Sequence, residues 1–391
     1  MYVRCVKTIE DLLIYQQRWD ELAGDCIFRS WTWLSTWWKH YGSVPETHQL
    51  AVLLVYKESA TCSCDSHTSH CGKSESVRHR TSDDLIGILP CYFECNRWQG
   101  RVLRMLGDGE VCSEHLDLLC ATTDSESVAK AIVHYLNSHS EWWDALHFDG
   151  VNEETSHLSK VVACFQDAGL HISRHAGPNC WSIRLPETWE EFLTIQSKSH
   201  RKQLRRLESR ILQSDRICWH TVRSQDDFQP AWEILTDLHQ RRRQSLGEPG
   251  CFASTRWANF HREVAQHLLK SGHLRLSILR LDGEPIAAEY HFGGKDALYV
   301  YQGGIDPTRC EEEPGRLSMI RCVQQAIEEG QSEFDLLRGD EPYKPHWRAV
   351  PHPTVNIQIV SPRFKARWRH CSASGMHNLS KLVNHFANFL G

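Results

Sequence analysis

The chain lacks any apolar stretch that could cross a membrane. Its longest clean apolar run, 50–56, falls far short of the roughly 20 residues a transmembrane helix needs, and residues 1–10 hold no apolar core of the kind that marks an export signal. A cytoplasmic location is the expectation. A strong net charge is missing too. The 44 basic and 49 acidic residues leave a formal net charge of -5, so no global field would draw the protein onto nucleic acid or an anionic membrane. The Gly-x-x-x-x-Gly-Lys-Ser/Thr loop, the Gly-x-Ser-x-Gly elbow and the His-Glu-x-x-His zinc motif are all absent, which takes away the sequence signs of nucleotide hydrolysis, serine hydrolysis and zinc proteolysis.

What is present is ordinary in amount and unusual in kind. With 391 residues, 41% hydrophobic and 24% charged, the chain can bury two cores of common size without metal or disulfide staples. The 16 cysteines come with no export signal and read as reduced, buried small residues. Residues 19–41 carry Trp19, Trp31, Trp33, Trp37 and Trp38, more aromatic surface than one helical stripe buries. Core packing explains them, and so does a groove wall in which Trp31 and Trp33 stack on a substrate. A polar insertion at 57–84, at the tip of an expected hairpin, has little to bury and predicts a mobile loop. It holds Cys62, Cys64, His67, His70 and Cys71, which could ligate zinc, but without the paired Cys-x-x-Cys spacing no metal is expected.

Hydrophobic periodicity gives strands at 50–56, 85–93, 102–106, 115–119 and 145–149, with helices at 127–137 and 156–168. The second half follows with helices at 198–211, 228–244 and 255–270, and a hairpin of 274–281 and 285–292 about an Asp282-Gly283 turn. A strand at 297–301, a helix at 317–329 and a strand at 334–337 complete it. The halves echo one another, as a duplicated α/β (α+β) unit would, each with a mixed, mainly antiparallel sheet flanked by helices. The expected domains are 1–180 and 181–365, with 366–391 a tail or helix. The helix at 198–211 sets Leu204, Leu207 and Ile211 on one face and a basic face opposite, which either meets water or contacts anions through Arg201 and Arg205. Arg241 in the run 241–243 has the same two readings.

Two segments invite chemistry. Pro314-Gly315-Arg316 opens a helix, and a helix N-terminus offers free N–H groups and a positive dipole to a phosphate, although Glu311 to Glu313 just before it disfavour anions. Gly339 to Trp347 follows a strand end, where sites in open α/β sheets gather. There Asp340 or Glu341 could act as a base, Tyr343 as an acid, and Lys344 as a charge partner. A turn framed by Pro342 and Pro345 is the plain alternative.

The order of elements, together with Arg201 to Arg206, Leu238 to Arg242, Pro285 to Ala288, Tyr299 to Gln302, Glu313 to Leu317 and Phe334 to Lys344, resembles the GNAT acyltransferase superfamily. More narrowly it is similar to the tandem-GNAT branch with the BioF2-like acetyltransferase domain, named in part for cellulose biosynthesis and akin to the FemAB peptidoglycan-bridge aminoacyltransferases. The resemblance implies an N-acyltransferase in which an amine on a sugar, peptide or cell-envelope precursor attacks acetyl-CoA or another acyl-CoA directly. It places the donor on Tyr301, Gln302, Pro314, Gly315, Arg316, Leu317 and Ser318, in the second half. Trp31, Trp33, Arg201, Arg205, Arg241 and Arg338 would meet the acceptor. A FemAB-like reading would make aminoacyl-tRNA the donor, the one case in which nucleic acid is a partner. A non-catalytic tandem GNAT that binds a sugar or peptide is the reading outside the enzymes.

Overall fold

The computed structural model describes residues 1–42, 47–57 and 84–370. The cysteine and histidine cluster of the 57–84 insertion therefore lies outside the described residues, as do 371–391.

The first half runs β1 (Tyr2–Val6), α1 (Gln16–Ala23), α2 (Trp31–Tyr41), β2 (His48–Leu50), β3 (Val52–Tyr56), β4 (Leu85–Leu89), β5 (Cys91–Asn96), β6 (Gly100–Met105), β7 (Leu119–Cys120), α3 (Ser125–Ser138), β8 (Ala145–Val151), α4 (Leu158–Asp167) and β9 (His171–Ala176). The expected single strand 85–93 is broken at Pro90, which has no N–H to give a ladder. Ala51 stands opposite, its N–H bonded to the Cys91 carbonyl at 3.1 Å. One bent hairpin thus serves two sheets, ordered β1-β3-β4-β7 and β2-β5-β6-β8-β17-β9, where β17 is Val355–Val360 from the far end of the chain.

The second half runs β10 (Cys180–Arg184), α5 (Trp189–Ile195), α6 (Lys198–Leu207), β11 (Ile217–Thr221), α7 (Gln225–Ser245), α8 (Thr255–Lys270), β12 (Leu274–Leu281), β13 (Glu284–Gly293), β14 (Ala297–Ile305), α9 (Pro314–Glu328), β15 (Glu333–Arg338), α10 (Tyr343–His346) and β16 (Val350–His352). Its seven strands are ordered β11-β12-β13-β14-β15-β10-β16. The expected hairpin forms at Asp282 and Gly283, both in the left-handed region at φ 54° and 85°. Each half is a mixed, mainly antiparallel sheet system with helices on its faces. Among the described residues no helix is long and apolar enough to cross a membrane.

Two further expectations differ from the structure. The strand foreseen at 115–119 shrinks to Leu119–Cys120, because His115 adopts φ 56° and turns its ring to Asp335, 2.7 Å away across the two halves. The segment 355–360, expected with the second half, pairs antiparallel with both β8 and β9 of the first.

One apolar core is shared by both halves. Trp33 of α2 is fully buried and meets Phe260, Phe292 and Tyr301 edge-on, with its ring N–H donated to Ser113 Oγ at 2.8 Å. Trp31 packs on Trp19 of α1. The tryptophans of α2 are numerous because that helix is buried on two sides, against α1 and against α8, and Trp31 and Trp33 hold no groove wall.

Candidate active site

β14 runs parallel to β15 for only three residue pairs: Ala297 with Glu333, Leu298 with Phe334, Tyr299 with Asp335. Beyond Tyr299 the strands part. β14 continues along β13, past an irregularity at Tyr290 and His291, while β15 bends away toward Arg338. A cavity of about 740 Å³ fills the wedge, lined by residues 300–305 on one side and by Leu336, Leu337 and Arg338 on the other. α9 brings Gly315 and Arg316 to it, and the first half adds Glu110, Cys112 and Glu114.

The start of α9 suits an anion in shape. Its cap, Glu313, sits at φ 55° and makes no side-chain cap, and Pro314 takes the first helical position. A Cβ on Gly315 would meet only Ile305, at 3.8 Å, so the space before this N-terminus is open. Its charge is less generous, because Glu313 forms a direct ion pair with Arg316. Of the residues expected to bind the donor, Tyr301, Gln302, Gly315 and Arg316 line the cavity. Pro314, Leu317 and Ser318 are buried under it, and Ser318 gives its hydroxyl proton to Glu289 Oε1 at 2.5 Å. The Tyr301 hydroxyl is also spent inside the fold, on the Val111 carbonyl and His261 Nε2, so this residue offers a ring and no free hydroxyl.

The segment after β15 divides sharply. Glu341, Tyr343, Lys344 and Trp347 line the cavity. Desolvation by the cavity wall, then the carboxylates of Glu341 and Glu289, raise the Tyr343 pKa above the ordinary tyrosine value and keep its hydroxyl a proton donor at neutral pH. Asp340 is not part of the lining. It faces solvent, where its Oδ1 accepts from Asn179 Nδ2 at 2.9 Å and Trp181 Nε1 at 3.0 Å, and these bonds lower its pKa. Lys344 is 1% exposed and donates Nζ to the carbonyls of Leu337, Arg338 and Gly339 at 3.2, 2.8 and 2.9 Å, with Glu341 Oε2 also at 2.9 Å. Its ammonium organises the turn and has no donor left for a substrate, contrary to the charge-partner role expected from sequence.

The residues expected to meet an acceptor scatter. Arg205 pairs with Glu190, and Arg241 with Asp237 and Asp306, both at the surface. Arg201 reaches the Thr194 carbonyl at 3.5 Å, closing the helix pair α5 and α6. Arg338 alone of this group lines the cavity, ion-paired to Glu114, which is 2% exposed and belongs to the first half.

Sequence reading passed over Glu289, His239 and Cys251, which also line the cavity. Glu289 left a trace, as a charge amid the apolar strand Ile286-Ala-Ala-Glu-Tyr-His-Phe. For His239 the trace is Gly303-Gly304: a Cβ on Gly304 would lie 2.4 Å from the His239 backbone nitrogen, so only glycine lets α7 press this close to β14.

Residues 198–345 match the acetyltransferase (GNAT) domain family. No curated protein matches the chain. Among solved structures, FemX aligns over 92% of this chain and 98% of its own at a TM-score of 0.58 and 10% identity. A conserved protein of unknown function from Bacteroides thetaiotaomicron aligns over 92% and 100% at a TM-score of 0.53, also with 10% identity. At such identity these two speak to the fold alone, a double unit of the same architecture along nearly the whole chain.

Proposed function

We propose that the protein, whose residues 198–345 match the acetyltransferase (GNAT) domain family, is an N-acyltransferase that moves an acetyl or longer acyl group from an acyl-CoA thioester to an amine. The observation that carries this is the parting of β14 from β15 in front of an uncapped helix N-terminus. Backbone groups of a splayed strand can hold the extended, amide-bearing arm of the donor as a strand partner would, and the α9 N-terminus can take its pyrophosphate. The thioester then lies near Tyr301 and Gln302. Direct attack by the amine would use Glu341 or Glu289 to receive its proton and Tyr343 to protonate the departing thiolate.

The acceptor enters from the side where Glu110, Cys112 and Glu114 of the first half close the cavity. Glu110 on that wall, its charge not spent on Arg338 as that of Glu114 is, favours an ammonium-bearing substrate, in keeping with an amino sugar, a peptide amine or a cell-envelope precursor. The FemAB-like alternative has one observation in its favour: Glu313 neutralises Arg316 at the place where a pyrophosphate would need it. Calorimetric titration with acetyl-CoA and with longer acyl-CoAs tests the donor. Saturable heat with at least one is expected, and none with any would overturn the CoA reading.

A further inference from the structure

The net charge of -5 is spread unevenly along the chain. Residues 342–391 hold three Lys and four Arg and no Asp or Glu, so all 49 acids lie before them. Inside this stretch residues 364–370 form a helical segment just after β17. Its Ala366 is buried, whereas Phe364 is 82% and Trp368 65% exposed, one turn apart on the outer face, with exposed Lys365 and Arg367 beside them. The segment is tied down through Asp144, which is buried and pairs with Arg363 at 2.7 Å and Arg369 at 3.0 Å. The same carboxylate accepts the Arg101 N–H at 2.9 Å, and a Cβ on Gly100 would fall 2.4 Å from Arg369 Nη1. The turn between β5 and β6 therefore lies against the segment, and it adds Trp98, 68% exposed, and the exposed Arg97. Three large rings and three cations thus face water at one end of the first half.

We propose that this end of the first half docks on an anionic phospholipid bilayer, with the rings of Trp98, Phe364 and Trp368 entering the headgroup layer and Arg97, Lys365 and Arg367 meeting lipid phosphates. Interfacial segments pair apolar side chains with Lys and Arg, and Trp suits headgroup depth because its ring leaves water while its N–H keeps a partner. Charge decides between this occupant and others. Residues 371–391 carry Lys381 and no acid, so the chain's own tail brings no counter-charge to the face. A second copy would set the same cations against each other. A nucleic acid is gripped by a longer basic track than three cations supply. The patch sits where Ala145 of β8 pairs with Val360 of β17, and the space lined by Asp149 and Asn356 opens toward the other end of these two strands. Docking therefore leaves that space and the cavity beside it free of lipid, and does not depend on which donor the cavity takes.

Co-sedimentation of the full chain with lipid vesicles is the test. Vesicles of equal parts phosphatidylglycerol and phosphatidylcholine should carry the protein down, pure phosphatidylcholine should not, and high salt should release it. Lys365→Glu with Arg367→Glu should weaken binding about 25-fold or more, from a factor of about five for each cation near such a surface. Phe364→Ser with Trp368→Ser should weaken it about tenfold, and Trp98→Ser by a smaller factor. All are exposed positions, so these proteins should melt with the parent. No sedimentation with the anionic vesicles, or equal sedimentation of the parent and the charge-reversed protein, would overturn the proposal. So would loss of binding in Leu382→Ser with Phe386→Ser but not in Phe364→Ser with Trp368→Ser, which would move the contact to 371–391. A dimer in light scattering that falls apart in Phe364→Ser with Trp368→Ser would give the face to a second copy instead. Binding of tRNA that is tighter than binding of the vesicles and lost in the same variants would give it to nucleic acid.

Discussion

The two halves contain the same parting of parallel strands, and only one of them has become a large open cavity. In the first half β6 pairs with β8 at Val102, Leu103 and Arg104 before diverging, as β14 does from β15. The space beyond holds about 280 Å³, against about 740 Å³ in the second half. The two spaces also differ in the charges around them. Arg104 sits among Glu94 at 2.5 Å, Asp108 at 3.6 Å and Asp149 at 3.7 Å, and Asp108 lines the smaller space. The helix that follows begins after Asp124 with Glu126 in its first turn, where the second half offers Pro314 and Gly315. The two spaces share Cys112 and Arg338 in their walls, so the first half contributes to the second half's site.

The largest expected effect comes from cutting this join. Arg338→Ala leaves Glu114 buried without its cation and should cost about 3 kcal/mol, read as a lower midpoint in denaturant melts, with Arg338→Lys losing less. Next is Gly304→Ala, whose methyl collides with the α7 backbone; a loss of about 2 kcal/mol is expected for such overpacking. Its counterpart Gly315→Ala meets open space and should leave stability within about 0.5 kcal/mol while weakening acyl-CoA binding. Equal melting of these two variants would mean that Gly304 is not what lets α7 press so close to β14.

A smaller effect follows from Asp108, whose pKa is raised by burial to about 7 from 3.8, Arg104 pulling the other way. Between about pH 4 and 7 the folded protein keeps a proton that the unfolded chain has released, so this group's contribution falls as pH rises, and the loss is complete above the folded value. Asp108→Asn should therefore melt like the parent near pH 4 and gain on the order of 1 kcal/mol above pH 7. A constant gap at both pH values would show that burial of that carboxylate is not what sets the smaller cleft apart. Smallest is Glu313→Gln, which releases Arg316 and should tighten binding of acyl-CoA a few-fold, an effect on the scale of a charge near a helix N-terminus. Unchanged affinity would mean that Arg316 does not meet the donor.

Much of the fold could be read from the sequence because its signals are local. The turn at Asp282-Gly283, the helix 255–270 and the duplicated order each follow from periodicity or a turn residue. What could not be read depends on partners distant in sequence. His115 leaves strand geometry for Asp335, Trp31 and Trp33 are core because α2 is covered from two sides, and β17 finds its neighbours two hundred residues earlier. The site shows the same division. Tyr301, Gln302, Gly315, Arg316, Glu341 and Tyr343 line the cavity. Lys344 was misread because its three carbonyl partners are made by a turn that no spacing reveals. Cys251 and His239 come together only where α7 crosses Gly304 of β14.

The place of β17 bears on how the protein is made. A chain emerging from the ribosome presents its first half early, yet that half's six-stranded sheet stays a gapped sheet until residues 355–360 arrive to fill the space between β8 and β9. The part synthesised first is thus finished last, and a ribosome stalled before residue 355 would hold a nascent chain with β8 and β9 still awaiting the strand that joins them.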